Sequence, residues 1–418
     1  MTTTATTRLP VASTRGRTAP ASPIRRLTPY ADGAKARGVH VHHLNIGQPD
    51  FATPSPIRAA ITGYDQQTIA YAPSQGLRET VRAWAAYYKQ ACGVDVPEEQ
   101  LLVTIGGSEA LVFAMMAVAD AGDDILVFDP SYTNYYGFAT FTDVKLRALM
   151  LDPSDGYALP PADVIAAAVT ERTRAILLCN PNNPTGAVYN ERDLRVLLDV
   201  AEQRGVFLIV DEVYRELVFD GLPQTSVLSI PGAMERTILV DSVSKRFNAC
   251  GARIGCLCSA NAEIMSAVLR FAQARLAAAT VDQLALVPLL NDPLSYTATL
   301  AQEYERRRDA VLAALAGVPG VTGSRPHGAF YSILSLPVAD SEDFARWMLE
   351  SFEFEGETVM ITPLKDFYVT PGHGRSEVRL AFVLGEERLA RAVQVLAAGL
   401  EAYQARSSSA ATTGQAAL

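Results

Sequence analysis

Lys245 is the residue whose type and position most strongly suggest chemistry. The 418-residue chain has 36 Lys plus Arg, but its lysines are few: Lys35, Lys89, Lys145, Lys245 and Lys365. Lys245 lies in DSVSKRFNACGARIG, among small and hydroxyl residues, directly after the apolar run TILV. An amine in such surroundings can act as a nucleophile toward a carbonyl group or as a base. Lys245 is therefore the first candidate for a catalytic residue.

Other polar residues also follow apolar runs. Gly107 and Ser108 come after QLLVTI and open an apolar, helix-like stretch, whose N-terminal N–H groups would bind an anion. Ser242 and Arg253 flank Lys245 and would add a hydroxyl and a guanidinium to the same anion. Asp211 ends VFLIV and would pair with a protonated ring nitrogen, although it would also serve as the cap of a helix starting at VYREL.

Each of these features taken alone has a structural explanation, since Gly-Gly-Ser also forms ordinary strand-to-helix turns and arginine is usually a surface charge. Together they match the three reactive parts of one cofactor. The lysine suits an aldehyde, the anion-binding groups suit a phosphate, and the aspartate suits a pyridine nitrogen. The residues therefore predict pyridoxal phosphate.

The elements that must position these residues alternate along the chain. Short apolar runs rich in β-branched residues are typical of buried strands: QLLVTI, DDILVF, RAILLC, VFLIV, RTILVDS and ARIGCLCS. Intervening stretches such as NERDLRVLLDVAEQRG carry apolar residues at helical spacing and end in Gly. This alternation predicts an α/β fold with a mostly parallel sheet between helices. The polar residues then lie beyond the carboxyl ends of the strands, where such sheets bind ligands.

Composition limits the partners. A net charge of -9 without a cluster of Lys and Arg argues against nucleic acid and anionic membranes, and no apolar run reaches the roughly 18 residues of a membrane span. Five cysteines without a C-x-x-C pair indicate neither a disulfide framework nor a zinc site. His40, His42 and His43 alternate as in a strand, so we expect no metal. These features predict a cytoplasmic protein that binds small molecules.

The two ends differ from the middle. Residues 1–31 contain five arginines and no acid, a composition also found in organelle transit peptides, but without the amphipathic periodicity that targeting requires. We expect disordered tails at 1–21 and at 406–418, where the sequence is of low complexity. Between them, 62–300 would form a large cofactor-binding domain, and 22–61 with 301–405 a smaller α/β domain.

The sequence resembles the class I, aspartate-aminotransferase-like aminotransferases, which are pyridoxal-phosphate enzymes of fold type I. The motifs NPNNPTG, DEVY and SVSKRFNACGARIG occur in this order and at family-like separations, and the resemblance extends from about residue 22 to about residue 389. It implies a large domain with a mostly parallel central sheet flanked by helices, a smaller α/β domain, and a homodimer with shared active sites.

The resemblance also implies roles for individual residues. Lys245 would form the internal aldimine and move the proton at Cα. Asp211 would keep the pyridine nitrogen protonated. Tyr214 and Asn183 would bind the phenolic oxygen of the ring, and Tyr132 would stack on the ring.

The implied phosphate ligands are those already found from the residues, with one addition. Gly107, Ser108, Ser242 and Arg253 match the phosphate binders of the family. Tyr71, in AYAPSQG, matches a tyrosine that reaches the phosphate of the neighbouring subunit.

The substrate would be held by Arg379, in EVRLAF, which matches the arginine that grips the α-carboxylate, assisted by Asn183 and the backbone of Gly47. The implied reaction moves the amino group of an L-amino acid to a 2-oxo acid by a ping-pong mechanism. Two alternatives remain. One is a lyase or oxidative decarboxylase on the same scaffold. The other is a non-catalytic ligand-sensing domain of a regulator, which the lack of a basic helix-turn-helix segment before residue 22 disfavours.

Departures from the family pattern concern the substrate. Ser108 stands where some aspartate-using members carry a lysine, and ARLAAAT lacks the prolines common in that segment. Leu364, Lys365 and Asp366 replace small residues expected near the entrance. With no evident anchor for a second carboxylate, we predict a neutral or polar amino donor in preference to aspartate. Lys365 is the alternative reader of a distal carboxylate.

Overall fold

The computed structural model describes the backbone of residues 11–415, and their side chains except those of Ser295 and 407–415. The first half of the described chain contains α1 Thr14–Thr18, α2 Thr28–Ala36, β1 His40–His43, α3 Ser55–Thr62, α4 Arg78–Cys92, β2 Leu101–Thr104, α5 Gly106–Val118, β3 Asp124–Asp129, α6 Asn134–Thr142, β4 Lys145–Met150, α7 Ala162–Ala168, β5 Thr173–Cys179, α8 Glu191–Arg204 and β6 Phe207–Asp211. The second half contains β7 Thr237–Ser242, α9 Val243–Arg246, β8 Gly255–Cys258, α10 Ala262–Arg275, α11 Thr280–Asn291, α12 Leu294–Leu315, β9 Thr322–Gly323, β10 Tyr331–Ser335, α13 Ser341–Ser351, β11 Glu357–Met360, β12 Thr362–Pro363, β13 Glu377–Ala381 and α14 Glu386–Gln415.

A seven-stranded sheet in the order β2-β8-β7-β6-β5-β3-β4 forms the centre of the molecule. Its strands are parallel except β8, which runs antiparallel to both neighbours. Along β5 and β6, successive apolar residues enter two separate cores, with Ile176 and Leu208 in one and Leu177 and Ile209 in the other. This alternation follows from the two-residue period of a strand, and it explains why continuous apolar runs form a sheet buried on both faces. The predicted fold is confirmed.

Helices cover both faces of this sheet. On one face, Trp84 of α4 and Leu194 of α8 pack into the core, and on the other face Leu111 of α5 and Val268 of α10 do so. Local sequence sets the ends of these helices. In α8, for example, Asn190 accepts hydrogen bonds from the first turn as part of a capping box, and Gly205 ends the helix in the left-handed conformation (φ +68°).

A third core lies around two smaller sheets. Strands β12-β13-β10-β9 form an antiparallel sheet, and β1 pairs with β11 in parallel. Helices α2, α12, α13 and α14 pack on them around residues such as Phe344 and Leu396. The expected boundary at residue 300 falls inside α12, and the division into two domains stays a prediction.

The predicted tails overlap the limits of the described chain. Residues 1–10 and 416–418 lie outside the described residues, whereas α1 lies within 11–21 and α14 continues to Gln415. Within the described part of the chain, no helix combines the length and the apolar character needed to cross a membrane.

Candidate active site

An inner cavity opens at the carboxyl ends of the central strands. It brings together residues predicted from motifs far apart in the chain: Gly107, Ser108, Tyr132, Asn183, Asp211, Tyr214, Ser242, Lys245 and Arg253. Next to it, an outer cavity shares Tyr132, Tyr214 and Lys245 and adds Gly47 and Arg379. The predicted site residues of a single chain therefore meet at this edge of the sheet, with the exception of Tyr71.

Lys245 lies at the junction of the two cavities. It belongs to the short helix α9, where Ser242, the last residue of β7, caps the first turn by accepting a hydrogen bond from the Ser244 N–H (3.2 Å). Its Nζ donates a hydrogen bond to the Gly47 carbonyl oxygen at 2.8 Å. A Cβ on Gly47 would lie 1.7 Å from the Tyr331 hydroxyl, so glycine is required here for Tyr331 to approach. The amine of Lys245 is thus held at the lining of the outer cavity by one hydrogen bond to a backbone carbonyl.

Asp211, the last residue of β6, is buried at the floor of the inner cavity. Its carboxylate accepts a hydrogen bond from the Tyr135 hydroxyl (2.9 Å). Burial raises the pKa of Asp211 to about 6, although the bond from Tyr135 favours the ionised form. A cation placed beside this carboxylate would lower its pKa again. Tyr135 was missed by the sequence interpretation, and its position three residues after Tyr132 in SYTNYY was the available signal.

The opposite end of the inner cavity is built to receive an anion. Helix α5 begins there, so its free N–H groups and positive dipole end face the cavity beside Gly107 and Ser108. Gly106 has a φ of +70°, and a Cβ on it would lie 2.4 Å from the guanidinium of Arg253. Glycine therefore lets Arg253 lie against the start of the helix, with its Nη1 anchored on the Cys250 carbonyl (3.0 Å).

Two hydroxyls complete the anion-binding end. Ser242 Oγ lies 2.9 Å from Ser244 Oγ, and both side chains line the cavity. Ser244 was not predicted, although its spacing of two residues from Ser242 in DSVSK would have indicated it.

Arg379, on β13, reaches the outer cavity with part of its guanidinium free. Its Nη1 donates to Asn183 Oδ1 (3.0 Å) and its Nη2 to the Asn45 carbonyl (2.8 Å), but its buried Nε has no hydrogen-bond partner among the described residues. Glu377, two residues before Arg379 on the same strand, accepts a hydrogen bond from the Tyr368 hydroxyl (2.6 Å). A buried donor without a partner is costly and indicates a ligand such as a carboxylate.

Tyrosines bridge the two cavities. Tyr214 lies 3.0 Å from the Tyr331 hydroxyl and 3.5 Å from Asn183 Nδ2. Tyr331 also places its ring 4.3 Å from the Arg379 guanidinium. Tyr331 and Asn45 were both missed, although Asn45 lies only two residues before Gly47, because both reach the site only through tertiary packing.

Tyr71 is placed away from both cavities. Its side chain is 83% exposed, and its segment is fixed by a hydrogen bond from Thr280 Oγ1 to the Ala70 carbonyl (2.7 Å). Within one chain it therefore has no role in the site.

The unusual residues near the entrance are engaged with one another. Leu364 is buried, Lys365 forms an ion pair with Glu342, and Asp366 pairs with Arg26 at 2.6 Å. None of these three lines the inner or the outer cavity.

The histidines of β1 lie elsewhere. His42 Nε2 lies 3.2 Å from a Glu357 carboxylate oxygen, and burial lowers the pKa of His42. Among residues 11–415 no group of three or more His, Cys, Asp or Glu side chains is arranged to hold a metal ion.

Comparison with known proteins agrees with this geometry. The family model "Aminotransferase class I and II" matches residues 39–396. The chain is 32% identical to a probable aspartate/prephenate aminotransferase of Thermus aquaticus over 377 residues, covering 88% of this chain and 93% of that one. Among solved structures, aspartate aminotransferase from Thermus thermophilus with maleate (28% identity, TM-score 0.84) and alanine aminotransferase from Pyrococcus furiosus (28%, 0.84) each match 94% of this chain over their whole length.

The fold and the site together define a pyridoxal-phosphate-dependent enzyme of fold type I. Within that class, the chain belongs to the class I and class II aminotransferases. It is a transferase of nitrogenous groups, as the resemblance in sequence implied.

The residues present fit the cofactor that this family uses. The start of α5, Arg253 and two serine hydroxyls form an anion site at one end of the inner cavity, while Asp211, a buried carboxylate that accepts a hydrogen bond from Tyr135 and forms no ion pair among the described residues, would bind a cation at the other end. Lys245 lies within the same cavity. These are the groups that a phosphate, a pyridine nitrogen and an aldehyde require.

Proposed function

We propose that the enzyme moves the amino group of an L-amino acid to a 2-oxo acid by a ping-pong mechanism in which Lys245 is both the residue that holds the cofactor and the residue that transfers the proton. The observation that carries this proposal is the position of Lys245 at the junction of a cavity suited to the cofactor and a cavity containing Arg379. A lyase or decarboxylase would use the same cofactor groups, and the named relatives favour amino transfer.

The residues of the inner cavity would bind the cofactor. Pyridoxal phosphate, when bound, supplies an aldehyde that combines with amines and a protonated ring that withdraws electrons from the substrate Cα. Asp211 keeps the ring nitrogen protonated, because a buried carboxylate is stabilised in its ionised form by an adjacent cation. Tyr132, which lines the same cavity, would pack against the ring, and Tyr214 with Asn183 would bind its phenolic oxygen.

Arg379 and Lys245 act on the substrate. Arg379 would bind the α-carboxylate, and its hydrogen bonds to Asn183 and Asn45 fix the plane of the guanidinium. The Gly47 carbonyl accepts a hydrogen bond from the Lys245 amine (2.8 Å), which places the Lys245 side chain beside the backbone that we assign to the substrate carboxylate. Once released, the Lys245 amine would take the proton from the substrate Cα and deliver it to the carbon that was the aldehyde of the cofactor, so that one group serves as base and then as acid.

The active form is proposed to be a homodimer. Ile69, Tyr71 and Leu276 are large apolar side chains that are more than half exposed. Thr280, the first residue of α11, lies four residues after Leu276 and donates a hydrogen bond from its Oγ1 to the Ala70 carbonyl (2.7 Å), and on this basis we assign the three side chains to one face. An apolar face of this kind fits a second copy of the chain, which would place Tyr71 at the phosphate of the partner subunit.

We further propose that the enzyme is cytoplasmic. All five cysteines are free thiols, which fits a reducing compartment.

The test is chemical labelling of the lysine. Borohydride reduction of the protein with bound cofactor, followed by peptide mapping, is expected to find the label on the peptide containing Lys245. Mass spectrometry after incubation with panels of amino acids and 2-oxo acids is expected to show paired amino transfer. A label on any of the other four lysines would contradict the assignment, and release of ammonia or carbon dioxide in place of a new amino acid would indicate the alternative reactions.

A further inference from the structure

A buried ionic cluster lies next to the inner cavity without lining it. It consists of five charged side chains that the proposed function does not use: Glu212, Arg215, Glu216, Asp241 and Arg246. Each of the five residues is at most 2% exposed. Removal of charges from water is costly, and apolar residues of similar size often stabilise a core equally well. Stability alone therefore does not explain why this cluster is charged.

Four members of the cluster are the immediate chain neighbours of residues that line the inner cavity. Glu212 follows Asp211, Arg215 follows Tyr214, Asp241 precedes Ser242, and Arg246 follows Lys245. Successive residues of a strand face opposite sides, so Asp241 points away from the cavity that Ser242 lines. There it accepts a hydrogen bond from the hydroxyl of Tyr88 (3.2 Å), a residue of α4 on the other face of the sheet. The cluster thus holds the backbone segments of the inner cavity from behind.

Arg246 is the member nearest in the chain to Lys245, and both belong to the single turn of α9. Its Nε donates to Glu216 Oε2 (3.0 Å) and its Nη1 to Asp241 Oδ2 (3.2 Å), while its Nη2 binds the other oxygen of Asp241. The guanidinium also lies 4.6 Å from the centre of the Tyr87 ring. Three nitrogens of one planar group are therefore held by two carboxylates, which fixes the orientation of the guanidinium.

The second arginine of the cluster joins this helix to the segment after β6. Arg215 donates hydrogen bonds to Glu212 (2.9 Å), Glu216 (3.1 Å) and Asp241 (3.3 Å). Glu216 and Asp241 each accept from both arginines, so the segments that follow β6 and β7 are bound to each other. These two segments carry the residues that we assign to the ring and to the aldehyde of the cofactor. Their relative position is set from outside the cavity.

We propose that Arg246 is a positioning residue for Lys245, in that the buried ionic cluster fixes α9 and so holds the Lys245 amine at the junction of the two cavities. This inference rests on the proposed function for the role of Lys245. An amine that forms a linkage with an aldehyde and then moves a proton depends strongly on its placement, since a shift of about 1 Å can cost about 10²-fold in rate.

Competition with methylamine measures how well Lys245 is placed. A lysine held near the aldehyde acts at a high effective concentration, so an external amine displaces it only when added in excess. The protein with bound cofactor is incubated with increasing methylamine and reduced with borohydride, and the labelled fraction of the Lys245 peptide is measured. Arg246→Lys keeps the charge and loses the planar fork, and we expect half-displacement at roughly fivefold less methylamine than in the wild type.

Arg308→Lys is the matched control. Arg308 is also 1% exposed and binds Asp220 through both Nη atoms (2.7 and 2.9 Å), but it packs on Phe219 in the core of the smaller sheets. Thermal unfolding should show a loss of stability in both variants, whereas only Arg246→Lys should be displaced more easily by methylamine. If Arg246→Lys loses stability but is displaced like the wild type, its role is structural and the proposal is wrong.

Glu216→Gln keeps the test decisive if Arg246→Lys does not fold. The cluster has three carboxylates and two guanidiniums, so this change removes the charge in excess. An amide has one acceptor oxygen in place of two, and the connection between Arg215 and Arg246 through this side chain is lost. Burial raises the pKa of Glu216, so the comparison is made at about pH 8. We expect half-displacement at about twofold less methylamine, and an unchanged value would refute the proposal.

Kinetics separate this inference from the proposed function. In Arg246→Lys we expect kcat to fall by roughly tenfold and KM to stay within about twofold, because Arg379, which we assign to the substrate, lies outside the cluster. If the methylamine pattern appears in a protein that transfers no amino group, the inference stands and the proposed function fails. If amino transfer is found but Arg246→Lys matches the wild type in both displacement and kcat, the inference fails and the proposed function stands.

Discussion

The inner and outer cavities of this aminotransferase differ in how far apart their residues lie along the chain. Ser242 and Lys245 of the inner cavity are three residues apart, and Asp211 and Tyr214 are likewise three residues apart, each pair following a single strand. The outer cavity joins Arg25, Gly47 and Arg379, which come from separate parts of the chain. Cofactor chemistry is thus encoded in short segments, whereas the substrate-binding surface depends on long-range packing.

The two cavities also differ in their charges. The inner cavity balances a buried acid, Asp211, against the lysine and an arginine, while the outer cavity holds arginines and the shared lysine without an acid. A balanced site suits a cofactor that carries both signs of charge, and a positive site suits anionic substrates. Substitutions in the two cavities should therefore separate cofactor binding from substrate selection.

Replacement of Lys245 by alanine should have the largest effect, because the residue belongs to both cavities. We expect kcat to fall by at least about 10²–10⁴-fold, the contribution usual for a positioned acid–base group. The cofactor should still bind through the anion site and Asp211, but without the absorbance band of the protonated linkage to lysine. Lys89→Ala, at an exposed lysine paired with Asp95, is the matched control and should behave as the wild type. Retention of full turnover by Lys245→Ala would remove the basis of the proposed mechanism.

Asp211 tests whether the buried acid serves the cofactor. Replacement by asparagine should lower kcat by roughly 10²-fold or more, since charge stabilisation in a desolvated site commonly contributes a few kcal/mol. The asparagine amide keeps the shape of the side chain and can still accept the hydrogen bond from Tyr135. The fall in kcat would therefore measure the effect of removing the negative charge of Asp211. A turnover close to that of the wild type would show that the ring does not depend on this carboxylate.

The raised pKa of Asp211 adds a dependence on pH. Because burial raises this pKa from 3.8 to about 6, the carboxyl is neutral below pH 6 and ionised above it. Cofactor affinity should therefore rise as pH increases through about 6, when the charge partner forms. The stability of the cofactor-free protein should fall between about pH 4 and pH 6, because the unfolded chain releases this proton above about pH 4 whereas the folded protein keeps it up to about pH 6. Fluorescence titrations from pH 5 to 8 measure the affinity. The phosphate of the cofactor ionises in the same range and does so equally in the wild type and in Asp211→Asn. The contribution of Asp211 is therefore the difference between the pH dependences of cofactor affinity in these two proteins.

The difference between the cavities also explains what could be predicted from sequence. The central sheet was predictable because strands buried on both faces are continuous apolar runs, and the residues of the inner cavity were predictable because each follows such a run. Tyr331 and Asn45 were not, since Tyr331 reaches the site only where Gly47 leaves room for it, and Asn45 acts largely through its backbone.

Arg379 tests the substrate side of the comparison. Arg379→Gln should reduce kcat/KM for every amino acid by about 10²-fold, in line with the cost of about 2–5 kcal/mol for breaking a buried charge pair. Cofactor affinity should stay within about twofold of the wild type, as measured by absorbance titration. Arg379→Lys keeps the charge but loses the planar fork, and we expect it to recover only part of the activity. A large loss of cofactor affinity would mean that the two cavities are not separable in this way.

Tyr71 should give the smallest effect, and it tests whether the inner cavity is completed by a second chain. Tyr71→Phe removes one hydroxyl from a ring that is otherwise kept, so we expect cofactor affinity to fall by roughly fivefold, the equivalent of a hydrogen bond of about 1 kcal/mol. The dimer should remain intact, because the apolar ring that packs at the proposed interface is unchanged, and light scattering after size-exclusion chromatography would show its mass. Tyr64→Phe serves as the control, since this hydroxyl bonds only to the Thr68 carbonyl on the same surface (3.3 Å). If the protein were a monomer with unaltered cofactor affinity in Tyr71→Phe, the inner cavity would be complete within one chain, and the proposed role of the partner subunit would be wrong.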